Sequence, residues 1–295
     1  MQFPTVTTKL IVLLGKPLGH SASPAMHNRV FKKLDMDYCY MPVEVAAEDL
    51  ETVFTGLTKM NVAGFNVTIP HKIRITKFLD ELDPLARTIG AVNTICLKNG
   101  KTKGYNTDGE GFVRSLEEKA DISVRGKRFF ILGAGGAVRA IAMTLAFKEA
   151  ERIYICNRTY SKAEGLSEEI NRKITDCAEP VALKEDLIDL SLKECDVLIN
   201  GTQLGMHPDE NVSPINPSLL SKNLVVADIV YNPLMTQLLK DAQQVGCTIV
   251  DGLGMLIYQG AAAFHLWTGV KPLVEEMSEV AYTMMTGRNE ASKQE

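Results

Sequence analysis

The sequence predicts an α/β protein of two α/β domains, the second built on a mainly parallel sheet. Three observations carry this. The chain has 295 residues, which at about 150 residues per domain suggests two domains. Short apolar runs alternate with segments whose apolar residues recur at helical spacing, the mark of βαβ crossovers. A glycine cluster, Gly133-Ala134-Gly135-Gly136, sits between one such run and the helix that follows it.

Taken in order, residues 10–14 form an apolar run and read as a strand. Ser23 and Pro24 read as a helix start, with Ser23 as N-cap and Pro24 at the first helical position. Met26, Val30, Phe31 and Leu34 then recur at helical spacing. Residues 38–45 are strand-like, and Leu50, Val53, Phe54 and Leu57 mark a second helix. Residues 62–69 are strand-like and stop at Pro70. Residues 93–97 and 102–105 flank Asn99-Gly100, a strong two-residue hairpin signal. In the middle third, 128–132 is a buried strand, the glycine cluster follows, and a helix covers 137–148. Residues 152–156 form a second strand and 161–173 a charged helix. Residues 196–200, 225–230 and 248–250 read as further buried strands, and a helix over 235–244 ends at Gly246. Residues 254–267 and 272–285 read as two terminal helices, and the tail from residue 287 as frayed.

Composition excludes several classes of function. The apolar fraction is 45%, so the chain can bury a core. Lys and Arg number 32 against 36 Asp and Glu, a formal charge of −4 that points to no nucleic acid. No uninterrupted apolar run approaches the roughly 18 residues of a membrane span, and the N-terminus lacks a secretory pattern. The six cysteines are scattered without a C-x-x-C pair, which suits free thiols in a reduced, cytoplasmic protein. The five histidines show no ligand spacing, so no metal site is expected.

Chemistry enters at the glycine cluster. Gly133, Gly135 and Gly136, with Ala134 and Ala137, allow a tight turn and let the backbone approach a pyrophosphate resting on the helix N-terminus. Val138 occupies the place of the third glycine of the strict pattern, so the strand–turn–helix context carries the dinucleotide reading. The following strand leads into Asn157-Arg158-Thr159. An NAD enzyme usually places a carboxylate there for the ribose hydroxyls. Here Arg158 can fork a 2′-phosphate and Lys162 adds a second cation, which favours NADP(H). The bland alternative makes both solvated surface residues.

Three further segments are polar where a plain core would be apolar. In Gly19-His20-Ser21-Ala22-Ser23-Pro24, Ser21 and Ser23 share a face if the segment is extended. In Asn66-Val67-Thr68-Ile69-Pro70-His71-Lys72, Asn66 and Thr68 share a face, and Lys72 lies just past the strand, where loops commonly carry chemistry. The third comprises Asn93 and Asn106-Thr107-Asp108-Gly109, where Asp108 either caps the next helix or pairs with a lysine.

These segments, with Gly90-Ala91-Val92-Asn93-Thr94, the glycine turn, Asn157-Arg158-Thr159 and the stretch from Asp251 to Gln259, occur in one order between about residues 10 and 270. In this the chain resembles the shikimate dehydrogenase family, including its quinate/shikimate relatives. The resemblance implies an N-terminal substrate-binding domain over 1–106, completed by helices from 254–295, and a Rossmann-like NADP-binding domain over 107–253, with a cleft between them. It implies NADPH-dependent reduction of 3-dehydroshikimate to shikimate, on the route to chorismate and the aromatic amino acids. Residue by residue, it puts the catalytic lysine on Lys72 and its aspartate partner on Asp108. Ser21 and Ser23 hold the substrate carboxylate, as does Tyr231. Thr68, Asn93 and Gln259 are ring-hydroxyl ligands, with Asp108 also on the substrate. Gly133, Ala134, Gly135, Gly136, Ala137, Asn157, Arg158, Thr159, Lys162 and Gly252 fall on the cofactor side. It also allows a homodimer.

Two departures bear on specificity. Lys162 stands where many members have a second arginine, keeping the charge without the fork. The segment 201–208, with residues 261–267, is closer to the quinate-tolerant branch, whereas Asn157-Arg158-Thr159 lacks that branch's acidic residue. Thr68 leans toward shikimate, because its hydroxyl takes up room near the ring. Quinate activity with broader use of NAD and NADP is thus the alternative. A non-catalytic NADP-binding regulator is remoter, since Lys72 and Asp108 are both present. In the expected chemistry Lys72 stabilises charge developing on the carbonyl oxygen and transfers the proton, while Asp108 positions Lys72 and the substrate hydroxyl.

Overall fold

The computed structural model describes residues 4–19 and 21–291, with side chains up to Thr286. His20 lies outside these residues, as do 292–295. The chain divides into two compact units. The first comprises residues up to Thr107 with Gln259–Met284, and the second Asp108–Tyr258 with a short return from Met285.

The first unit holds a mixed six-stranded sheet in the order β2-β1-β3-β5-β6-β4. Its strands are β1 (Lys9–Gly15), β2 (Tyr38–Glu44), β3 (Val62–Val67), β4 (Glu81–Leu82), β5 (Thr94–Lys98) and β6 (Lys101–Tyr105). β1 pairs in parallel with β2 and β3, through crossovers over α1 (Ser23–Lys33) and α2 (Leu50–Leu57). β3, β5 and β6 are antiparallel. Asn99 and Gly100 both have positive φ, as a tight hairpin with a type I′ turn requires. Val12, Leu14, Phe54, Phe65, Val67 and Ile95 lie in its core. Residues 259–284 pack on the same unit: Trp267 Nε1 donates to Ile95 O at 3.0 Å, and Glu276 pairs with Arg29 at 2.9 Å.

Several expectations shift. α1 begins at Ser23 itself, with Ala22 in the N-cap position and no side-chain cap. Ala22 is already helical (φ −83°, ψ −14°), so Ser23 is not the cap and the segment around Ser21 is not extended. Pro24 tolerates the second position equally, because its missing N–H has no intrahelical partner there either. α3 (Pro84–Ile89) is too short to show periodicity, but its ends were written in the chain. Asp83 accepts from Leu85 N at 3.1 Å and Gly90 closes it at φ +75°.

The second unit is a six-stranded all-parallel sheet, order β12-β11-β10-β7-β8-β9. Its strands are β7 (Arg128–Leu132), β8 (Arg152–Cys156), β9 (Ala178–Val181), β10 (Val197–Asn200), β11 (Val225–Asp228) and β12 (Thr248–Val250). The helices are α4 (Asp108–Ala120), α5 (Gly136–Phe147), α6 (Tyr160–Lys173), α7 (Glu185–Leu192) and α8 (Gln237–Val245). β9 escaped the sequence reading because Pro180 weakens it as a strand; it sits at the sheet edge, where proline is tolerated. β11 stops at Asp228, two residues before the expected end. The chain ends in α9 (Gly252–Thr268) and α10 (Val274–Ala291). α10 thus continues past residue 287, where fraying was expected, because its Met, Glu, Arg and Ala residues are strong helix formers that outweigh one Gly.

The strand order reverses at β7. Strands 8 and 9 lie on one side of it, and strands 10, 11 and 12 on the other. In an open parallel sheet, such a switch point leaves a crevice beyond the carboxyl ends of the two strands that flank it. Here those strands are β7 and β10.

Candidate active site

In the first unit the expected polar residues form one buried hydrogen-bonded chain. Asn66, near the end of β3, donates from Nδ2 to Asn93 O at 2.9 Å and to Thr94 Oγ1 at 3.1 Å. Its Oδ1 must therefore accept, and it takes the Tyr40 hydroxyl at 2.8 Å. The single phenolic proton is thereby committed. Burial pushes the Tyr40 phenol up, out of reach of ordinary titration. Ser21 accepts the Ser23 N–H at 3.3 Å, so a backbone turn, rather than strand alternation, links the two serines.

Asn93 is the centre of this chain. Its Oδ1 accepts from Thr107 N at 2.8 Å and its Nδ2 donates to Thr107 Oγ1 at 2.9 Å. The same Nδ2 reaches Gln259 Oε1 at 3.4 Å. Connected buried bonds of this kind hold each amide in one orientation. The structure thus links Asn93 and Gln259 with Tyr40, Asn66 and Thr107. Tyr40 and Thr94 were missed as participants: in sequence Tyr40 is only an aromatic within a strand. Under the Tyr40 ring lies His27, stacked at 4.7 Å with an interplanar angle of 12°. Neither nitrogen of its ring has a hydrogen-bond partner among the described residues, and burial pushes its pKa down to about 3.

Past β3, Thr68 N donates to Leu14 O at 2.9 Å and the chain turns, with His71 N on Thr68 O at 2.9 Å. The buried His71 ring is pinned by Nε2 to Val45 O at 2.8 Å. Lys72 follows, half-buried, and its backbone oxygen accepts from Val92 N at 2.8 Å. That bond sets the Lys72 backbone beside the residue preceding Asn93. Asp108 follows Thr107 directly and is the first, buried residue of α4.

In the second unit the glycine turn has the form the sequence suggests. Gly133 adopts φ +107°, which only glycine takes without strain. A Cβ there would meet Gly201 O at 2.9 Å, so the turn is clamped against the segment leaving β10. Val138 fills the third glycine's place as a fully buried side chain. Among the described residues no side chain caps α5, so the first-turn N–H groups lack a side-chain acceptor at that end. That end of a helix favours an anion through both its orphan donors and its dipole. Beyond β8, Asn157 donates to Thr159 O at 2.9 Å, shaping the loop that presents Arg158. Arg158 and Lys162 are exposed and form no ion pair among the described residues. The residues present therefore fit a phosphorylated dinucleotide: donors for a pyrophosphate, and two uncommitted cations for a further phosphate.

One feature of this unit was not foreseen. Asn200 and Asp228 end β10 and β11 in register. The Asp228 carboxylate is buried and accepts from Asn200 Nδ2 at 3.1 Å on both oxygens, from Val230 N at 2.9 Å and from Thr236 Oγ1 at 2.8 Å. Burial raises its pKa against the pull of those donors. The signal in sequence was a polar residue closing each of two apolar runs. Tyr231 follows, exposed, after Val230. Gly252 opens α9 where a Cβ would come within 2.5 Å of Val230 O, so it packs backbone on backbone. Among the described residues no group of three or more His, Cys, Asp or Glu is placed to hold a metal. No described helix is long and apolar enough to cross a membrane.

Residues 13–95 match the family of shikimate dehydrogenase substrate-binding domains. Residues 115–251 match that of shikimate/quinate 5-dehydrogenases, and 252–282 that of shikimate 5′-dehydrogenase C-terminal domains. A shikimate dehydrogenase (NADP+) of Methanocaldococcus jannaschii is 47% identical, covering 95% of this chain and 98% of that one. The crystal structure of shikimate 5-dehydrogenase from Listeria monocytogenes, in complex with shikimate and NAD, is 38% identical. It superposes with a TM-score of 0.91 and covers 95% of this chain and 98% of its own. A shikimate dehydrogenase in complex with NADP+ is 44% identical, with a TM-score of 0.87, over 96% of this chain and 98% of its own.

Proposed function

From the premise that this chain belongs to the shikimate dehydrogenase family, we propose that it reduces 3-dehydroshikimate to shikimate reversibly with NADPH. What carries the reading is the breadth of the likeness: 47% identity to an NADP-dependent shikimate dehydrogenase across 95% of the chain. The local chemistry supports it. The glycine turn offers N–H donors to a pyrophosphate, and Arg158 with Lys162 answers a 2′-phosphate.

The division of labour follows from the residues. NADPH, when bound, supplies a hydride. Gly133, Ala134, Gly135, Gly136 and Ala137 would hold its pyrophosphate, Asn157, Arg158, Thr159 and Lys162 its adenosine phosphate, and Gly252 would close the cofactor side. Lys72 stabilises the negative charge that grows on the substrate's carbonyl oxygen and delivers the proton to it. Asp108 orients the reacting hydroxyl. Ser21, Ser23 and Tyr231 bind the carboxylate. Thr68, Asn93 and Gln259 bind ring hydroxyls, with Asn93 held for that task by Thr107 and Asn66. The six free thiols suit a reducing cytoplasm.

A second reading, use of quinate as well as shikimate, is favoured by the likeness of residues 115–251 to shikimate/quinate dehydrogenases together. Turnover of purified protein with shikimate and NADP+ tests the leading reading: nucleotide reduction supports it, and its absence at saturating substrate defeats it.

A further inference from the structure

We propose that Asp228 is a positioning residue for the dinucleotide, acting through Asn200 on the segment that walls the crevice between β7 and β10. The proposal deepens the functional reading and rests on it for the identity of the nucleotide.

The sheet reverses between β7 and β10, so the loops leaving those strands face one crevice. The β7 loop is the glycine turn. The β10 loop starts at Asn200 and continues through Gly201, whose backbone touches Gly133 and whose N donates to Leu132 O at 2.8 Å. The position of the β10 loop is therefore set by whatever holds Asn200 and Thr202.

Asn200 is fully committed. Its Oδ1 accepts from Thr202 N at 3.0 Å and Thr202 Oγ1 at 2.7 Å, which folds the loop back on the strand end. Its Nδ2 donates to Leu204 O at 3.2 Å and to both oxygens of Asp228. The Asp228 carboxylate, the Leu204 carbonyl and the Thr202 N–H together fix this amide orientation. The same carboxylate takes Val230 N and Thr236 Oγ1, at the two ends of the segment that bears Tyr231. Thr236 also lies against Gly205, the far end of the β10 loop. One buried carboxylate thus ties both loops at the carboxyl end of this half of the sheet. No step of the proposed reaction uses it as acid or base.

Asp228→Asn keeps the shape and one acceptor oxygen but removes the charge and puts an NH2 in place of the other oxygen, against donors. Thr236→Val removes one leg, and Thr236→Ser keeps its hydroxyl. NADPH affinity of each purified full-length variant is measured by nucleotide fluorescence titration, with circular dichroism as the folding check. We expect Asp228→Asn to weaken NADPH by about tenfold or more, the scale set by losing a charged hydrogen bond. Thr236→Val should shift it in the same direction and Thr236→Ser should restore it. If Asp228→Asn does not fold, the Thr236 pair decides. Folded variants that bind NADPH as the wild type does overturn the proposal. So does a Thr236→Ser protein as weak as Thr236→Val. Wild-type protein that fails to bind NADPH at all would instead sink the functional reading, a result separable from the others.

Discussion

Replacing Arg158 by Ala should cost NADPH and spare NADH. The residue is exposed and outside any ion pair among the described residues, so its removal orphans no protein partner. The fold should be untouched, as for most surface substitutions. What is lost is a charge-assisted contact to the 2′-phosphate, worth about 1.5–3 kcal/mol. At about 1.4 kcal/mol per factor of ten, that is roughly 10- to 150-fold in affinity. Solvent exposure and the remaining Lys162 argue for the lower end. Initial rates of shikimate oxidation, varying NADP+ and then NAD+, read the effect as two values of kcat/KM. NADP+ should lose about tenfold or more while NAD+ changes little, because NAD+ has nothing at that position for the guanidinium to grip. Raising the salt should narrow the gap in the wild type by screening the phosphate contact. Equal losses with both nucleotides would refute the reasoning, since Arg158 would then be serving the shared part of the molecule or the fold.

Lys72→Met should lower kcat by orders of magnitude while nucleotide fluorescence still reports NADPH binding; retention of the wild-type kcat removes Lys72 from the proton transfer. His27 makes stability sensitive to mild acid. Its folded pKa of about 3 lies below the ordinary value of 6.5, so the unfolded chain binds the extra proton first. Stability from this residue is complete above pH 6.5 and drains as the pH falls toward 3, by at most about 1.4 kcal/mol per pH unit for one proton. Urea unfolding at neutral pH and at pH near 5 should therefore show a steeper loss for wild type than for His27→Phe, and parallel losses would dismiss His27 as the cause.

The parallel half of the fold is legible in the chain because each of its signals is local. β7, the glycine turn, α5 and β8 follow one another, and the run 152–156 ends just where Asn157 begins. The hairpin at Asn99-Gly100 is legible for the same reason. The polar chain in the first unit is not, because its links are long: Tyr40 to Asn66, Asn66 to Asn93, and Asn93 to Gln259, the last spanning 166 residues. Alternation could put Asn66 on a face but could not name its partners. Ser23 shows the limit of a local rule. Ser before Pro reads as a cap, yet Ala22 takes the cap position and α1 begins at Ser23 itself. Asp228 shows it again, since only the register of β10 with β11 brings Asn200 to its side.

The most direct measurement crosses two acids with two nucleotides. Purified protein is given shikimate or quinate with NADP+ or NAD+, and kcat/KM is determined for each of the four pairs. Shikimate with NADP+ should give the highest value, with quinate trailing shikimate and NAD+ trailing NADP+. Preference for quinate with NAD+ would contradict the assignment of Arg158 and Thr68, and no turnover in any pair would contradict the enzyme itself.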